Sequence, residues 1–329
     1  MPASWQARAT MAADRGHRPG MLSGVPWLWL ALGTAIGETL RDLCLRTVLR
    51  DSGLSTLRVI GLSSALAGLL LLPLVLSQPQ PIDGPAFAIA LLLGGSLNAL
   101  AFWCYGRAIA QEDLSLVLPL INLSPLALLL AGWWVLGERP GPLAVLGVAL
   151  LVLGALMLGH PSGRPDLAGR GLGRLWASPG CRSMLLVALL WGIGASVDKL
   201  GVNAGGSLAW VLAVQLSIGT SLLGLSLRQP PRTPLTPRPR GQRRSGRISW
   251  TLAVALASAA VVGAAGTVLQ MEAIRQTAVV HVIAIKRLST LMGSGAGVLA
   301  LGEAEAARRL LAAALMLLGA ATVLWGALG

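Results

Sequence analysis

Two adjacent cations, Lys286 and Arg287, sit in the middle of the apolar stretch 277–302. A charge at the centre of a bilayer costs about 2.5–3.5 kcal/mol on insertion scales, so this pair needs a partner, a wet cavity or a ligand. Only two of the 26 basic side chains are lysines, Lys199 and Lys286. At about 100° per residue, Gln276, Val279, Ile283, Lys286, Thr290, Gly293 and Gly297 share one stripe of a helix, with Arg287 and Ser294 on its flank. A stripe of polar and small residues should face other helices rather than lipid. His281 falls roughly opposite Lys286 and reads as a packing or interfacial side chain. The pair has two readings. In one, it meets carboxylates from neighbouring helices and fixes packing. In the other, it binds an anion, the guanidinium acting as a planar fork and the ammonium as a point charge. Thr290 and Gln276 join it as candidate substrate contacts, and Asn98, Tyr105 and Trp103 of an earlier apolar segment are candidate neutral lining groups. Asn98 needs hydrogen-bond partners at that depth.

Further charges fall at helical spacings. Glu38, Arg41 and Asp42 lie on one face, one turn beyond Thr34. Arg41 can neutralise one carboxylate, leaving the other to answer Lys286 or Arg287, or to take a coupling proton; Glu38, the deepest, is the expected proton-sensitive group. The alternative is an interfacial cluster with a snorkelling arginine. Asp198 and Lys199 are expected to form a local ion pair or a gate contact. Arg107 and Glu272 are candidates for a salt bridge across the molecule, with two solvated helix ends as the alternative. Glu138 and Glu303 stand where helices begin, where a carboxylate meets free amide donors and the positive end of the helix dipole. Pro140 and Pro142 also suit a helix start, so these glutamates are expected to be structural. Pro119 and Pro125 should free backbone carbonyls at membrane depth. Gly33-x-x-x-Gly37 and Gly293-x-x-x-Gly297 are helix-packing patterns, with Gly297 a structural position.

The elements that must carry these residues are membrane helices. The 329 residues are 54% hydrophobic and 12% charged, with mean hydropathy +0.71; a soluble domain carries about 25% charged residues. Ten apolar segments, at 25–45, 54–76, 85–107, 114–136, 140–159, 183–203, 207–227, 249–272, 277–300 and 307–327, are each long enough to cross a core of about 30 Å. None alternates as a barrel strand would. Residues 1–24 read as a disordered polar tail without a cleaved signal peptide, and Met11 and Met21 are alternative starts. A Gly/Pro/Arg linker spans 160–182, and 228–247 is a Pro/Arg-rich loop with seven arginines. The net charge of +13 lies mostly in short loops, which suits membrane topology rather than nucleic acid. Cys44, Cys104 and Cys181 fit no disulfide framework or metal spacing. There is no P-loop, His-Glu-x-x-His, Gly-x-Ser-x-Gly or Cys-x-x-Cys, so ATP drive, cofactors and hydrolytic chemistry are not expected.

The chain repeats itself. Ala108-Ile109-x-Gln111 matches Ala273-Ile274-x-Gln276, Leu123-Ser124-x-Leu126 matches Leu288-Ser289-x-Leu291, Gly132 matches Gly297, Leu136-Gly137-Glu138 matches Leu301-Gly302-Glu303, and Leu153-Gly154-Ala155 matches Leu318-Gly319-Ala320. All share an offset of 165 residues. Two halves, 25–159 and 183–329, with an odd helix count must point in opposite directions, the inverted-repeat architecture of many secondary transporters. Residues Leu136-Gly137-Glu138-Arg139-Pro140 and Leu301-Gly302-Glu303, with Trp191-Gly192 and Lys199, resemble the EamA-type branch of the drug/metabolite transporter superfamily over about 25–328. The resemblance implies an all-α membrane protein moving small organic solutes by alternating access. Sugar-phosphate carriers of that superfamily are similar at Lys286 and Arg287, which implies a phosphate-binding role for this pair alone.

The expected function is therefore secondary transport of a small organic metabolite, with anionic or phosphorylated ones favoured, and not enzymatic. A membrane-embedded enzyme, or an assembly or sensor protein on the same fold, are the alternatives. The expected partners are the substrate and the lipid bilayer of the plasma membrane; nucleic acid is not one, and a homodimer is left open. Arginine counting puts the loops after segments one, five, seven and nine in the cytoplasm and both termini outside; the resemblance implies the reverse.

Overall fold

A computed structural model describes residues 26–111, 118–158, 178–227, 250–289, 291–292 and 306–328. Among these the chain is helical throughout, without a strand. The helices are α1 (Pro26–Asp51), α2 (Thr56–Ser77), α3 (Gly84–Gln111), α4 (Ser124–Ala131), α5 (Pro142–Leu158), α6 (Pro179–Gly205), α7 (Ser207–Leu227), α8 (Trp250–Gln276), α9 (Val279–Lys286) and α10 (Ala306–Leu328). Six of them hold stretches long and apolar enough to cross a membrane: α2, α3, α6, α7, α8 and α10. α5 is apolar but shorter, at 17 residues. α1 carries the charged cluster. The outer faces are covered with apolar side chains such as Leu92 and Leu130, 72% and 70% exposed, a surface that only lipid or another apolar partner can satisfy.

Helix starts follow elementary capping rules. The Ser55 and Ser178 hydroxyls accept from the amides of Arg58 and Cys181, and Pro179 opens α6 where its missing N–H costs nothing. The segment expected as one helix over 114–136 is broken. A 3-10 turn at Leu118–Leu123 precedes α4, and a π turn at Gly132–Leu136 follows it. Pro125 stands in the first turn of α4, and Gly137 leaves the π turn at φ 69°, a left-handed conformation that glycine adopts without penalty. The ninth segment differs too. Ala278 is extended, at φ −63° and ψ 141°, so α9 starts at Val279; it ends at Lys286, and beyond a turn at Arg287 the chain is helical again at Leu288–Ser289 and Leu291–Met292. Gln276 consequently belongs to the end of α8 and not to the helix of Lys286.

The most extensive packing pairs each long helix with one from the other half: α1 with α8, α3 with α6, α2 with α7 and α5 with α10. The offset of 165 residues maps α3 onto α8 and α5 onto α10. Where α5 and α10 cross, a Cβ on Gly147 would stand 2.6 Å from the Gly319 carbonyl oxygen, and one on Gly154 would stand 2.7 Å from that of Ala312. Adding 165 to 147 and subtracting it from 319 converts the first contact into the second, so the crossing is close to two-fold symmetric. A Cβ on Gly37 would stand 3.2 Å from the Gly266 Cα across α1 and α8, and the Thr34 hydroxyl donates to the Gly266 carbonyl at 3.2 Å. The Gly33–Gly37 pattern thus sits in a helix contact.

The ends of the bundle can be assigned from hydrogen bonds. The Asp83 amide donates to the Ala204 carbonyl at 2.8 Å, so α3 starts beside the end of α6. Ser207, which opens α7, donates to Glu272 near the end of α8 at 2.7 Å. These groups define a near end. Late α3 (Cys104, Ala108) clusters with Cys181 at the start of α6 and defines the far end.

Gly147→Val is expected to lower stability by about 3 kcal/mol, because backbone on α10 cannot move aside. Gly194→Ala, which meets nothing within 4 Å, should stay within about 1 kcal/mol of the parent. Thermal unfolding in detergent compares the two.

Candidate functional site

Polar groups in the helical interior gather in two layers joined by α9. The inner layer is at its C-terminal end. Lys286 Nζ lies 3.2 Å from Glu38 Oε1 on α1 and donates to Gln270 Oε1 on α8 at 2.9 Å. Ser289 Oγ donates to the other carboxylate oxygen of Glu38 at 2.9 Å. Arg287 donates through Nη2 to Ser124 Oγ on α4, while its Nε is buried and has no hydrogen-bond partner among the described residues. The two cations therefore differ. Lys286 is held by a carboxylate and an amide, whereas the guanidinium has a neutral hydroxyl. Asp198 is within electrostatic range of Lys286, and Glu38 and Asp42 within range of Arg287, but none of these adds a direct contact there.

The outer layer lies at the near end, about 10 Å along the axis of α9 by its rise per residue. Lys199 Nζ is 2.6 Å from Glu138 Oε1 and donates to the Thr277 carbonyl at 2.9 Å. The Val279 amide donates to Glu138 Oε2 at 3.1 Å. Thr277 Oγ1 and His281 Nδ1 share a hydrogen bond of 2.9 Å, and the imidazole stands 6.0 Å from the Trp27 ring, so His281 belongs to this layer and not to the cation pair.

Several sequence expectations change. Glu138 does meet a helix amide, but that of Val279 at the start of α9 rather than one of α5, which follows it in the chain. Asp198 and Lys199 do not pair: Asp198 accepts from Trp210 Nε1 at 3.1 Å, while Lys199 reaches Glu138. Arg107 and Glu272 are not joined either. Arg107 lies over the Trp103 ring at 4.8 Å, whereas Glu272 is bonded to Ser207 and lies 3.2 Å from Arg275. The reason is geometric: Glu272 is at the near end and Arg107 is late in α3, at the far end. Asn98 donates to Gly94 of its own helix at 3.0 Å. Tyr105 stacks at 6.2 Å with Trp191, which meets Phe102 at 5.5 Å. The stem of Arg41 packs against Gly263, Asp42 is exposed and Gln276 is exposed at the end of α8. Thr290, Gly297 and Glu303 lie outside the described residues. No group of three metal-ligating side chains occurs among the described residues.

Gln270, Ser124 and Ser289 were not among the expected contacts, yet each had a signal. Gln270 is a lone amide in an apolar run and is 7% exposed. Ser124 and Ser289 are equivalent under the 165-residue offset; one accepts from Arg287 and the other donates to Glu38.

The sequence profile of the EamA-like transporter family matches residues 25–159 and 178–325, most of the chain and one match per repeat. The chain belongs to the EamA-like transporter family. It is therefore an integral, multi-pass membrane protein of transporter type. No curated protein matches the sequence. A solved structure, described as the crystal structure of a protein, shares 17% identity over 90% of this chain and 97% of its own, with a TM-score of 0.62; at that identity the likeness is one of fold.

Lys286→Met should destabilise this member of the family by about 3 kcal/mol, because the Glu38 carboxylate is left without its cation. Glu38→Gln combined with Lys286→Met should recover a large part of that loss. The melting temperatures of the two variants check this.

Proposed function

We propose that the chain is a secondary transporter of a small anionic organic metabolite, working by alternating access at the plasma membrane through ten spans in two inverted five-helix halves. The observation that carries the substrate class is the guanidinium of Arg287. Its Nε is a buried donor without a partner among the described residues, and its one described side-chain partner is a hydroxyl. Buried polar groups are satisfied in almost all cases, and a planar fork matches a carboxylate or phosphate. Glu38 already answers Lys286, so Arg287 is the primary anchor, and Lys286 contributes field and position. The energy source is the substrate gradient or a proton exchanged at Glu38.

The cross-half helix pairs support two inverted halves. The interruptions in the fourth and ninth segments lie where inverted-repeat transporters bring broken helices to a substrate. Arginine counting assigns the far end, where the connections after α1, α5 and α7 meet, to the cytoplasm. A reporter at Gly329 exposed outside the cell supports that assignment, and a cytoplasmic one supports the orientation implied by the family.

The test is a screen of carboxylated and phosphorylated metabolites against the purified chain, read as a rise in melting temperature and then as flux in proteoliposomes. Arg287→Gln should weaken the responding ligand tenfold or more, as expected for losing a hydrogen bond to a charged group. A response confined to neutral or cationic solutes, or unchanged by Arg287→Gln, overturns the anionic reading. Binding without flux points instead to a sensor on this fold.

A further inference from the structure

The outer polar layer has a construction that packing does not require. α9 begins at a break, and the residue before it supplies no side-chain cap. The first helical amide is instead satisfied by Glu138, from the connection between α4 and α5 in the other half. The same carboxylate pairs with Lys199 of α6, whose ammonium also holds the carbonyl of Thr277, on the other side of the break. One lysine and one glutamate thus tie together the α4–α5 connection, α6, the end of α8 and the start of α9. The ion pair is mostly covered, with its side chains 19% and 15% exposed. Its members cannot separate singly without cost: withdrawing Glu138 strands the Val279 amide and leaves the ammonium with the neutral Thr277 carbonyl and no counter-charge, a condition that buried groups avoid. Such an arrangement has two states, made or broken.

We propose that Glu138 and Lys199 form the near-end gate of the transport path, closed in this structure, and that α9 is the rigid arm linking the gate to the Lys286–Arg287 layer. This inference rests on alternating access but on no particular substrate. α9 is eight residues long, about 12 Å at 1.5 Å per residue, too short to bend internally. Its N-terminus is held by Glu138 and its C-terminal residue by Glu38. Displacement at one end is therefore delivered to the other, and an anion drawing Arg287 away from Ser124 acts on the gate through the same arm. Ser196 stands one turn before Lys199 on α6, deeper in the bundle than the ion pair. It is fully buried, and its hydroxyl has no partner among the described residues. It should meet water when the gate opens.

The experiment uses the full-length chain in membranes, with Cys44, Cys104 and Cys181 replaced by alanine and Ser196→Cys introduced as a reporter. A membrane-impermeant maleimide is applied separately to each face, and no substrate is needed, so failure here is distinct from failure of the anionic reading. The reporter should react slowly in the parent. Adding Lys199→Met should accelerate labelling about tenfold or more from the face bearing Glu138 only, and Lys199→Arg, which keeps the pair, should leave it slow. Glu138→Asp, which retains charge but withdraws the carboxylate by one methylene, is the milder variant should Lys199→Met fail to fold; it should accelerate labelling from that same face. Acceleration from both faces means general loosening and overturns the proposal. So does labelling that is already fast in the parent, that is unchanged in every folded variant, or that is as fast with arginine as with methionine at 199.

Discussion

A backbone amide in hydrocarbon cannot turn to water, so every interruption of a membrane helix must be satisfied by another part of the protein. The break between α8 and α9 is the sharpest instance here. Ala278 is extended and offers no cap, and the Val279 amide takes its acceptor from Glu138, well over a hundred residues earlier in the chain. Once that acceptor is in place, Lys199 must neutralise it, α6 must lie beside the α4–α5 connection, and α9 must point its far end at α1. There Glu38 meets Lys286 and leaves Arg287 to Ser124. The two charged layers are thus consequences of a single discontinuity, read at its two ends.

The repeat explains which positions became polar and which diverged. Ser124 and Ser289 occupy equivalent places and both serve the inner layer, one toward the guanidinium and one toward the carboxylate. The cations themselves have no counterparts: where the second half has Lys286 and Arg287, the first has Ile121 and Asn122. A two-fold scaffold, visible in the matched glycine contacts of α5 and α10, therefore carries a one-sided charge. Pairing across halves also explains why the closest approaches fall at glycines, where the backbone of one half lies directly against that of the other.

Much of this was readable before any coordinates. Apolar run lengths give membrane helices, the offset of 165 residues gives the two repeats, and a spare carboxylate on α1 is enough to suggest the partner of Lys286. What escaped has physical causes. The break at 277–278 contains neither proline nor glycine; a partner distant in sequence stabilises it, and local propensity is silent about such partners. Asp198 and Lys199 are adjacent, and neighbours on a helix do not face one another, so each found its partner on a different element. The Arg107–Glu272 pairing failed for a deeper reason. Residues equivalent under an inverted repeat are carried to opposite ends of the bundle, so equivalence itself argues against their contact.

The pairing of helices across halves also bears on how the chain is made. In α1–α8, α2–α7, α3–α6 and α5–α10 the second partner always emerges later from the ribosome, so the first half enters the bilayer with its main interfaces vacant. Glu38 must wait there for Lys286, and Glu138 for Lys199 and then Val279, each held for a time by lipid headgroups, water or the insertion machinery. A fragment ending after α5 would therefore be an incomplete folding unit. A single repeat could complete itself only by meeting a second copy in the opposite orientation, and the covalent joining of the two halves removes the need for that encounter.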